Sequence, residues 1–299
     1  MATTSAASWR SEDRAETTPA ASAPLAAGLR PAPAGRQRSE GRVRIGAAAF
    51  GGVTRLVDMA EGGALRARLP RSSSALEAVL VNTAGGVACG DVFSIEAEAG
   101  PGAHLVIATP AAEKVYRSDG ASAEIHVRLA AGPGARLDWL PQETILFDRA
   151  RLKRRYEVDV AGSAAFLSFE ALVLGRLAHG DAMGEGHLED HWRVRRDGRL
   201  VFADALRLAG PIGALLARPA VAGGNRVLAT LLYVAPDAES RLEEARALID
   251  GARCTAGASA WNGLLAVRFL SPDIETLRRD AASFLMAFRH APLPRVWAT

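Results

Sequence analysis

The stretch from Glu124 to Gly134, EIHVRLAAGPG, contains the pattern that decides the fold. Ile125, Val127 and Leu129 alternate with charged or polar residues, which is the period of a β-strand with one buried face. The glycines and the proline that follow are typical of a tight turn. The stretch therefore predicts a strand that packs on a core and then turns sharply.

The same alternation recurs on both sides of this stretch. Further alternating apolar positions are Phe93, Ile95, Ala97, Tyr156, Val158 and Val160. Shorter apolar runs at 105–107 and 145–147 predict strands that are covered on both faces. Turn signals separate these segments about every dozen residues, a spacing that favours an all-β sandwich, a barrel or a stack of strands. Asp197 and Gly198 predict a hairpin with a type I′ turn, since that turn needs positive φ angles.

The last quarter of the chain changes to a helical period. A first helix is predicted from Leu242 and to end at Gly251. After two short strands, a second helix is predicted with Ser271 as its N-cap and Pro272 as its first residue. Its apolar stripe consists of Leu277, Ala281, Phe284, Leu285 and Phe288. Strands followed by helices favour a mainly β domain with helices on one side.

Residues 1–41 differ from the rest of the 299-residue chain. Ala, Ser, Thr, Pro and Arg dominate this stretch, which cannot bury enough apolar surface to offset chain entropy. We therefore predict a disordered tail over 1–41 and a single β-rich domain over 42–299.

The composition narrows the functional class. Thirty-six basic and 33 acidic residues give a net charge of +3, which is too balanced to favour nucleic acid as a partner. The two cysteines, Cys89 and Cys254, form no disulfide framework. With no apolar stretch long enough for a membrane span and no secretion signal, a cytoplasmic protein without a membrane partner is expected.

Several common catalytic and cofactor motifs are absent from the sequence. It contains no P-loop, no dinucleotide-binding glycine motif, no GxSxG elbow and no HExxH. A cysteine-rich zinc site is excluded as well.

Three shorter features allow two interpretations each. The glycine-rich segment 82–91 is either a structural turn or a loop that accepts an anion or a partner strand. Lys114 is either a catalytic amine or a solvated charge beside Glu113. Glu143 follows a proline and precedes an apolar strand, so it is expected to be partly desolvated and either paired with an arginine or functional.

The segment 170–191 is rich in ionisable side chains and contains three histidines and five carboxylates. Its ionisable residues are Glu170, Arg176, His179, Asp181, Glu185, His187, Glu189, Asp190 and His191. If 187–191 is extended, His187, Glu189 and His191 project from one face as a possible metal ligand set. One hypothesis is therefore a metal-assisted hydrolase with Asp181 or Glu185 as base; the alternative is an ordinary polar strand.

Six short motifs occur in order along the chain. They are Asn-x-x-Gly-Gly-x-x-x-Gly-Asp at 82–91, Thr-x-x-Ala-x-Lys-Val-Tyr-Arg at 109–117, Leu-Pro-Gln-Glu-Thr-Ile-Leu-Phe at 140–147, Gly-Arg-x-x-x-Gly-Asp at 175–181, Trp-Asn-Gly at 261–263 and Leu-Pro-Arg-Val-Trp at 293–297. Together they resemble the urease accessory protein D family, UreD, which is called UreH in some bacteria. The resemblance implies a β-helix-like stack of strands with two helices.

The resemblance also implies a function. Members of this family are non-catalytic assembly factors for the nickel enzyme urease; they bind the helical protein UreF, which recruits the nickel-carrying GTPase UreG, and the complex docks on apo-urease. No cofactor is expected to be tightly bound, and nickel is expected only in transit. The candidate residues for a transient nickel path are Glu143, Asp181, Glu185, His187, Glu189 and His191. Of these, the first three are expected to line or approach a polar internal passage.

Overall fold

The computed structural model describes residues 38–71, 75–176 and 181–298. The strands are β1 (Glu40–Phe50), β2 (Val53–Gly63), β3 (Leu65–Arg68), β4 (Leu76–Asn82), β5 (Val92–Ala99), β6 (His104–Ala108), β7 (Glu113–Val115), β8 (Ala123–Ala131), β9 (Arg136–Leu140), β10 (Thr144–Leu146), β11 (Arg151–Val160), β12 (Ala165–Arg176), β13 (Asp181–Ala182), β14 (Gly186–Arg196), β15 (Arg199–Gly210), β16 (Val227–Val234), β17 (Thr255–Trp261) and β18 (Leu264–Ser271). The helices are α1 (Ile212–Leu216), α2 (Leu242–Asp250) and α3 (Ile274–Arg289). Residues 1–37 of the predicted tail lie outside the described residues.

The strands stack as the coils of a β-solenoid. Within a seven-stranded sheet of order β15-β14-β11-β8-β5-β1-β2, the strands from β14 to β1 run parallel. The larger sheet contains β17-β18-β16-β12-β9-β6-β4-β3, and its strands from β4 to β12 are also parallel. From β4 to β14, apart from the short strands β7, β10 and β13, successive strands alternate between the two sheets, so each coil there adds one strand to each. The predicted mainly β, stacked-strand fold is thereby confirmed.

The alternation of side chains builds the core between the sheets. Ile125, Val127 and Leu129 on β8 are buried, and the residues between them lie on the outer face. At the corner after β8, Gly132 donates its N–H to the carbonyl of Ala99 in the previous coil, at 2.8 Å. The predicted strand and turn are therefore both present.

The hairpin at Asp197 and Gly198 is also confirmed. Their φ angles are 47° and 76°, and they join β14 to β15 in an antiparallel pair. Positive φ at both positions is what a type I′ turn requires, and Gly198 meets it without steric cost.

The helices α2 and α3 cover the outer face of the larger sheet. Leu277, Phe284 and Phe288 of α3 are buried in a second apolar cluster formed with that sheet. The predicted bounds of α2 and the apolar stripe of α3 are confirmed. The short helix α1 was not predicted.

The predicted cap of α3 is wrong. Ser271 still belongs to β18, and Asp273 is the N-cap, because its side chain accepts the N–H of Thr276 at 2.8 Å. A carboxylate at this position also interacts favourably with the helix dipole. Pro272 accordingly lies before the helix.

Candidate functional site

Three charged side chains lie between the two sheets and form what we call the interior cluster. Arg154 on β11, Glu170 on β12 and Asp190 on β14 occupy positions whose neighbours on the same side of the strand are buried. Arg154 is 3% exposed, and Glu170 and Asp190 are each 6% exposed. Charges this deeply buried are tolerated only when they neutralise one another and their hydrogen bonds are satisfied.

Arg154 bridges the two carboxylates. Its Nη1 lies 2.9 Å from Oε2 of Glu170, and its Nη2 lies 2.6 Å from Oδ2 of Asp190. The contact with Asp190 is bidentate, since Nε also donates to Oδ1 at 3.2 Å. Nη1 donates in addition to the hydroxyl of Thr144 at 3.2 Å. One guanidinium thus ties the seven-stranded sheet to the larger sheet.

Aromatic residues complete the surroundings of Glu170. The indole N–H of Trp139 donates to its Oε1 at 2.6 Å, and the hydroxyl of Tyr156 donates to the same oxygen. The ring of Tyr156 stacks on that of Trp192, with centroids 3.8 Å apart. The carboxylate therefore has fixed donors and a rigid wall beside it.

Burial shifts the ionisation of these groups. It raises the pKa of Glu170 above its usual range, and the opposing effect of the Arg154 guanidinium does not cancel that rise. Burial also raises the pKa of Tyr156, so its hydroxyl stays protonated and remains a donor. For Arg154 burial acts to lower the pKa, but Asp190 and Glu170 outweigh it and the pKa lies above its ordinary value.

Two cavities meet the interior cluster. The large cavity, of about 370 Å³, extends from Arg154 and Glu170 toward the sheet edges, where Asp204 on β15 pairs with Arg268 on β18 at 2.7 Å. The small cavity, of about 70 Å³, also reaches Arg154 and Glu170 but is lined by residues of β4, β5, β8 and β9. Because the strand order places those elements on the other side of β11 and β12, the cluster lies between the two cavities.

Polar groups continue along the small cavity. Glu113, Asn82, Thr109 and Gln142 all line it. Asn82 donates to both carboxylate oxygens of Glu113, at 3.2 and 3.3 Å. Burial raises the pKa of Glu113 to about 7. The large cavity, the interior cluster and the small cavity thus form a row of polar groups inside an apolar core.

Of the six residues predicted for the nickel path, Glu185 and His187 line one surface pocket, whereas Glu143 lies elsewhere. Glu143 is buried beside α3, where Arg278 lies 3.0 Å from its carboxylate, as expected of a desolvated acid with an arginine partner. Glu185 is exposed and lines a pocket at the surface, not the interior. The backbone of Asp181 pairs with that of Arg176, but its side chain lies outside the described part of the chain.

The remaining three residues lie on the outer face of the seven-stranded sheet. His187, Glu189 and His191 share that face, as the alternation predicts, and His187 Nε2 lies 3.0 Å from Oε1 of Glu189. Among the described residues, however, no group of three or more His, Cys, Asp or Glu side chains is arranged to hold a metal ion. The ligand set expected for a metal-assisted hydrolase therefore does not form there.

The interior cluster was not predicted, although the sequence contains a signal for it. Glu170 and Asp190 belong to the segment 170–191, but ligand chemistry alone gives no information on the face of the strand from which a side chain projects. Asp190 falls between Leu188 and Trp192, on the buried side of β14. Arg154 falls on the buried side of β11 in the same way.

The glycine-rich segment 82–91 forms a structural turn. Asn82 accepts the N–H of Ala84 at 3.0 Å, and Asp91 accepts that of Ala88 at 2.7 Å. Side chains of this kind stabilise turns by bonding nearby backbone. Lys114 is exposed on β7.

Comparison with known proteins identifies the family. Residues 39–298 match the family described as UreD urease accessory protein. The chain belongs to the UreD family. The urease accessory protein UreD of Xanthobacter autotrophicus is 80% identical over 297 residues, covering 99% of this chain and 100% of the relative. UreD of Azorhizobium caulinodans is 64% identical over 264 residues, which cover 88% of this chain and 97% of that protein.

The match to UreD includes the parts of the chain that build the interior. It begins one residue before β1 and so covers the interior cluster and both cavities. Among the described residues of this UreD protein, no helix combines the length and the apolar character needed to cross a membrane.

Proposed function

We propose that this UreD protein acts in urease maturation as a non-catalytic scaffold. It assembles with UreF, and through UreF with the GTPase UreG, on apo-urease, and Ni²⁺ crosses the protein between its two sheets on the way to the urease active site. The names of its relatives, urease accessory protein UreD, support the maturation role. The partners follow from the family resemblance.

The observation that carries the nickel route is the position of the interior cluster between the two cavities. A divalent cation that enters an apolar core loses its hydration shell. The free-energy cost of this dehydration is far larger than the free energy gained from contact with the apolar walls. Glu170 and Asp190 supply the opposite charge at the point where the route is driest. Arg154 offsets only one of their two negative charges, so an entering Ni²⁺ competes with the guanidinium for the carboxylate oxygens.

Ligand chemistry also supports transit over storage. Carboxylate oxygens bind Ni²⁺ reversibly, and thiolate clusters would retain it. Neither cysteine lines the two cavities. Burial raises the pKa of Cys254 to about 11, so its sulfur stays protonated and is a poor ligand.

The experiment replaces the cluster carboxylates with their amides. Glu170→Gln and Asp190→Asn keep the shape of the side chain but remove the negative charge that a dication needs, and each replaces one acceptor oxygen with a donor. Each variant is co-expressed with urease and the other accessory proteins, and nickel per purified urease is measured together with the size of the accessory complex. We expect nickel content at limiting supply to fall about tenfold, equivalent to a barrier about 1.4 kcal/mol higher, with the complex intact.

Glu157→Gln is the matched control. Glu157 lies on the outer face of β11, and its side chain is 53% exposed. It should leave nickel content unchanged. Normal nickel content in both cluster variants, with the complex intact, would refute the proposed route, and loss of urease nickel without any detectable accessory complex would point to a scaffold defect instead.

A further inference from the structure

A second polar site lies on the surface, apart from the interior. Arg117, Arg149 and Arg151 line an open pocket of about 590 Å³, which we call the arginine pocket. Its other walls are the turn at Asp119 and Gly120 and the adjoining ends of β14 and β15. Its lining shares no residue with that of the large or the small cavity.

Backbone hydrogen bonds hold the three arginines in place. Arg117 forms an antiparallel bridge with Ala150, and the N–H of Ser118 donates to the carbonyl of Arg149 at 3.0 Å. The N–H of Arg149 donates in turn to the carbonyl of Glu185 at 2.9 Å. Arg149 has a φ of 60°, a conformation that non-glycine residues adopt rarely. The pocket is therefore built on a fixed frame.

The positive charge of the pocket is incompletely matched. Arg149 has one long contact, 3.7 Å, with Asp148. Nε of Arg151 is buried and has no hydrogen-bond partner. Within the described residues, neither Arg117 nor Arg151 forms an ion pair. Asp119 and Glu185 also line the pocket, which therefore contains three guanidinium groups and two carboxylates, with Asp148 beside Arg149 as a third acid.

We propose that the arginine pocket binds an oxyanion, either a free anion such as phosphate or a carboxylate presented by a partner polypeptide. A guanidinium presents parallel N–H groups whose spacing matches two oxygens of one carboxylate or phosphate. An oxyanion at this site accepts charge-assisted hydrogen bonds from the guanidinium groups that line the pocket. Gly120 and Gly210 leave its walls open, because a β-carbon at either position would meet no atom within 4 Å.

The three arginines favour an anion over a cation as the occupant, although Asp119 and Glu185 also line the pocket. A guanidinium group is a hydrogen-bond donor only and has no lone pair to offer a metal ion. His187 also lines the pocket, but its Nε2 is already in contact with Glu189. This inference is independent of the proposed nickel route.

Calorimetric titration of the full-length protein with sodium phosphate, at constant ionic strength, tests the proposal. We expect saturable binding to a single site, weakened about tenfold by Arg151→Gln, which removes one charge-assisted hydrogen-bonding partner. Arg117→Gln should have a similar effect. Arg193→Gln is the control, because Arg193 is an exposed arginine on β14 outside the pocket.

A second arm distinguishes the two sources of the oxyanion. The accessory complex is captured on tagged UreD protein in the presence and absence of phosphate. Loss of a partner both with phosphate and with Arg151→Gln identifies a carboxylate of that partner as the occupant. An unchanged complex, together with phosphate binding that depends on Arg151, identifies a free anion. Phosphate affinity equal in Arg151→Gln and wild type, or no saturable binding with no effect on the complex, would overturn the proposal.

Discussion

Glu113 shows how a single carboxyl group couples the interior to pH. It lines the small cavity, and burial raises its pKa to about 7, even though the amide of Asn82 donates to both oxygens. The negative charge of Asp91 acts in the same direction as burial. Near neutral pH, Glu113 therefore exists in both protonation states.

This pKa predicts a loss of stability as the pH rises. A carboxyl whose pKa is higher in the folded chain than in the unfolded chain binds its proton more tightly when folded. Its contribution is complete below the unfolded value of about 4.5 and is lost as the pH rises through about 7. We expect this group to lower the free energy of unfolding by about 2 to 3 kcal/mol over that range.

Glu113→Gln should remove this pH dependence. The measurement is urea denaturation of wild type and variant at about pH 5 and about pH 7.5, with the difference between the two pH values compared across proteins. Glu124→Gln, at an exposed position on β8, is the control. A variant that loses as much stability as wild type between the two pH values would contradict the assignment.

Whether a strand residue faces the core or the solvent explains which predictions of burial were correct. Period-two alternation in β8 and β11 correctly predicted which apolar residues are buried. Applied to charged residues, the same rule places Asp190 inside and His191 outside, because neighbouring side chains on a strand point to opposite faces. The histidines were predicted as ligands from their chemical type. Whether a side chain reaches the interior depends instead on the face of the strand from which it projects.

At the scale of elements, one local and one long-range interaction hold the two ends of α3. Asp273 caps its N-terminus, and Arg289 in its last turn pairs with buried Asp138 on β9 at 2.8 Å. The apolar period was sufficient to predict the helix. Its cap was not predictable in the same way, since Ser271 and Asp273 are both favourable capping residues and the pairing of β18 with β16 extends through Ser271.

The two faces of α3 predict opposite effects of an added charge. Phe288 is fully buried and stacks on Phe284 with centroids 5.3 Å apart, so Phe288→Asp places an unpaired carboxylate in the core and should unfold the protein. Met286, on the same helix, is 48% exposed. Met286→Asp should leave the thermal midpoint within about 2 °C of wild type, as expected of a surface substitution.

This pair separates a structural role of α3 from an interface role. Thermal melting by circular dichroism reports folding, and capture of the accessory partners reports docking. Reduced capture by folded Met286→Asp would indicate that α3 lies at an interface. Normal capture would place the interface elsewhere, and a folded Phe288→Asp protein would contradict the packing described for this helix.

At the scale of the whole molecule, coil stacking produces the interior cluster. Arg154, Glu170 and Asp190 come from three successive long strands, and they meet because β11 and β14 are neighbours in one sheet and β12 lies opposite. Strand periodicity predicts each strand but contains no information on which strands pair. The fold class was therefore predictable from local pattern and family resemblance, whereas the meeting of the three charges depends on long-range pairing.

The proposed route can be blocked by a substitution in the large cavity that leaves the charges of the interior cluster unchanged. Thr230 on β16 lines the large cavity and is the register partner of Glu170. Thr230→Trp adds an indole to a cavity of about 370 Å³, so the larger side chain has space and the cost of overpacking should stay near 1 kcal/mol. The interior cluster keeps all of its charges in this variant.

We expect Thr230→Trp to fold and to assemble with its partners but to lower the nickel content of co-expressed urease. The control is Thr255→Trp, an equal change of volume at an exposed position on β17. Metal analysis of purified urease, together with the size of the accessory complex, reads out both properties in one preparation. If Thr230→Trp yields fully nickel-loaded urease from an intact complex, ions do not pass beside Thr230 in the large cavity.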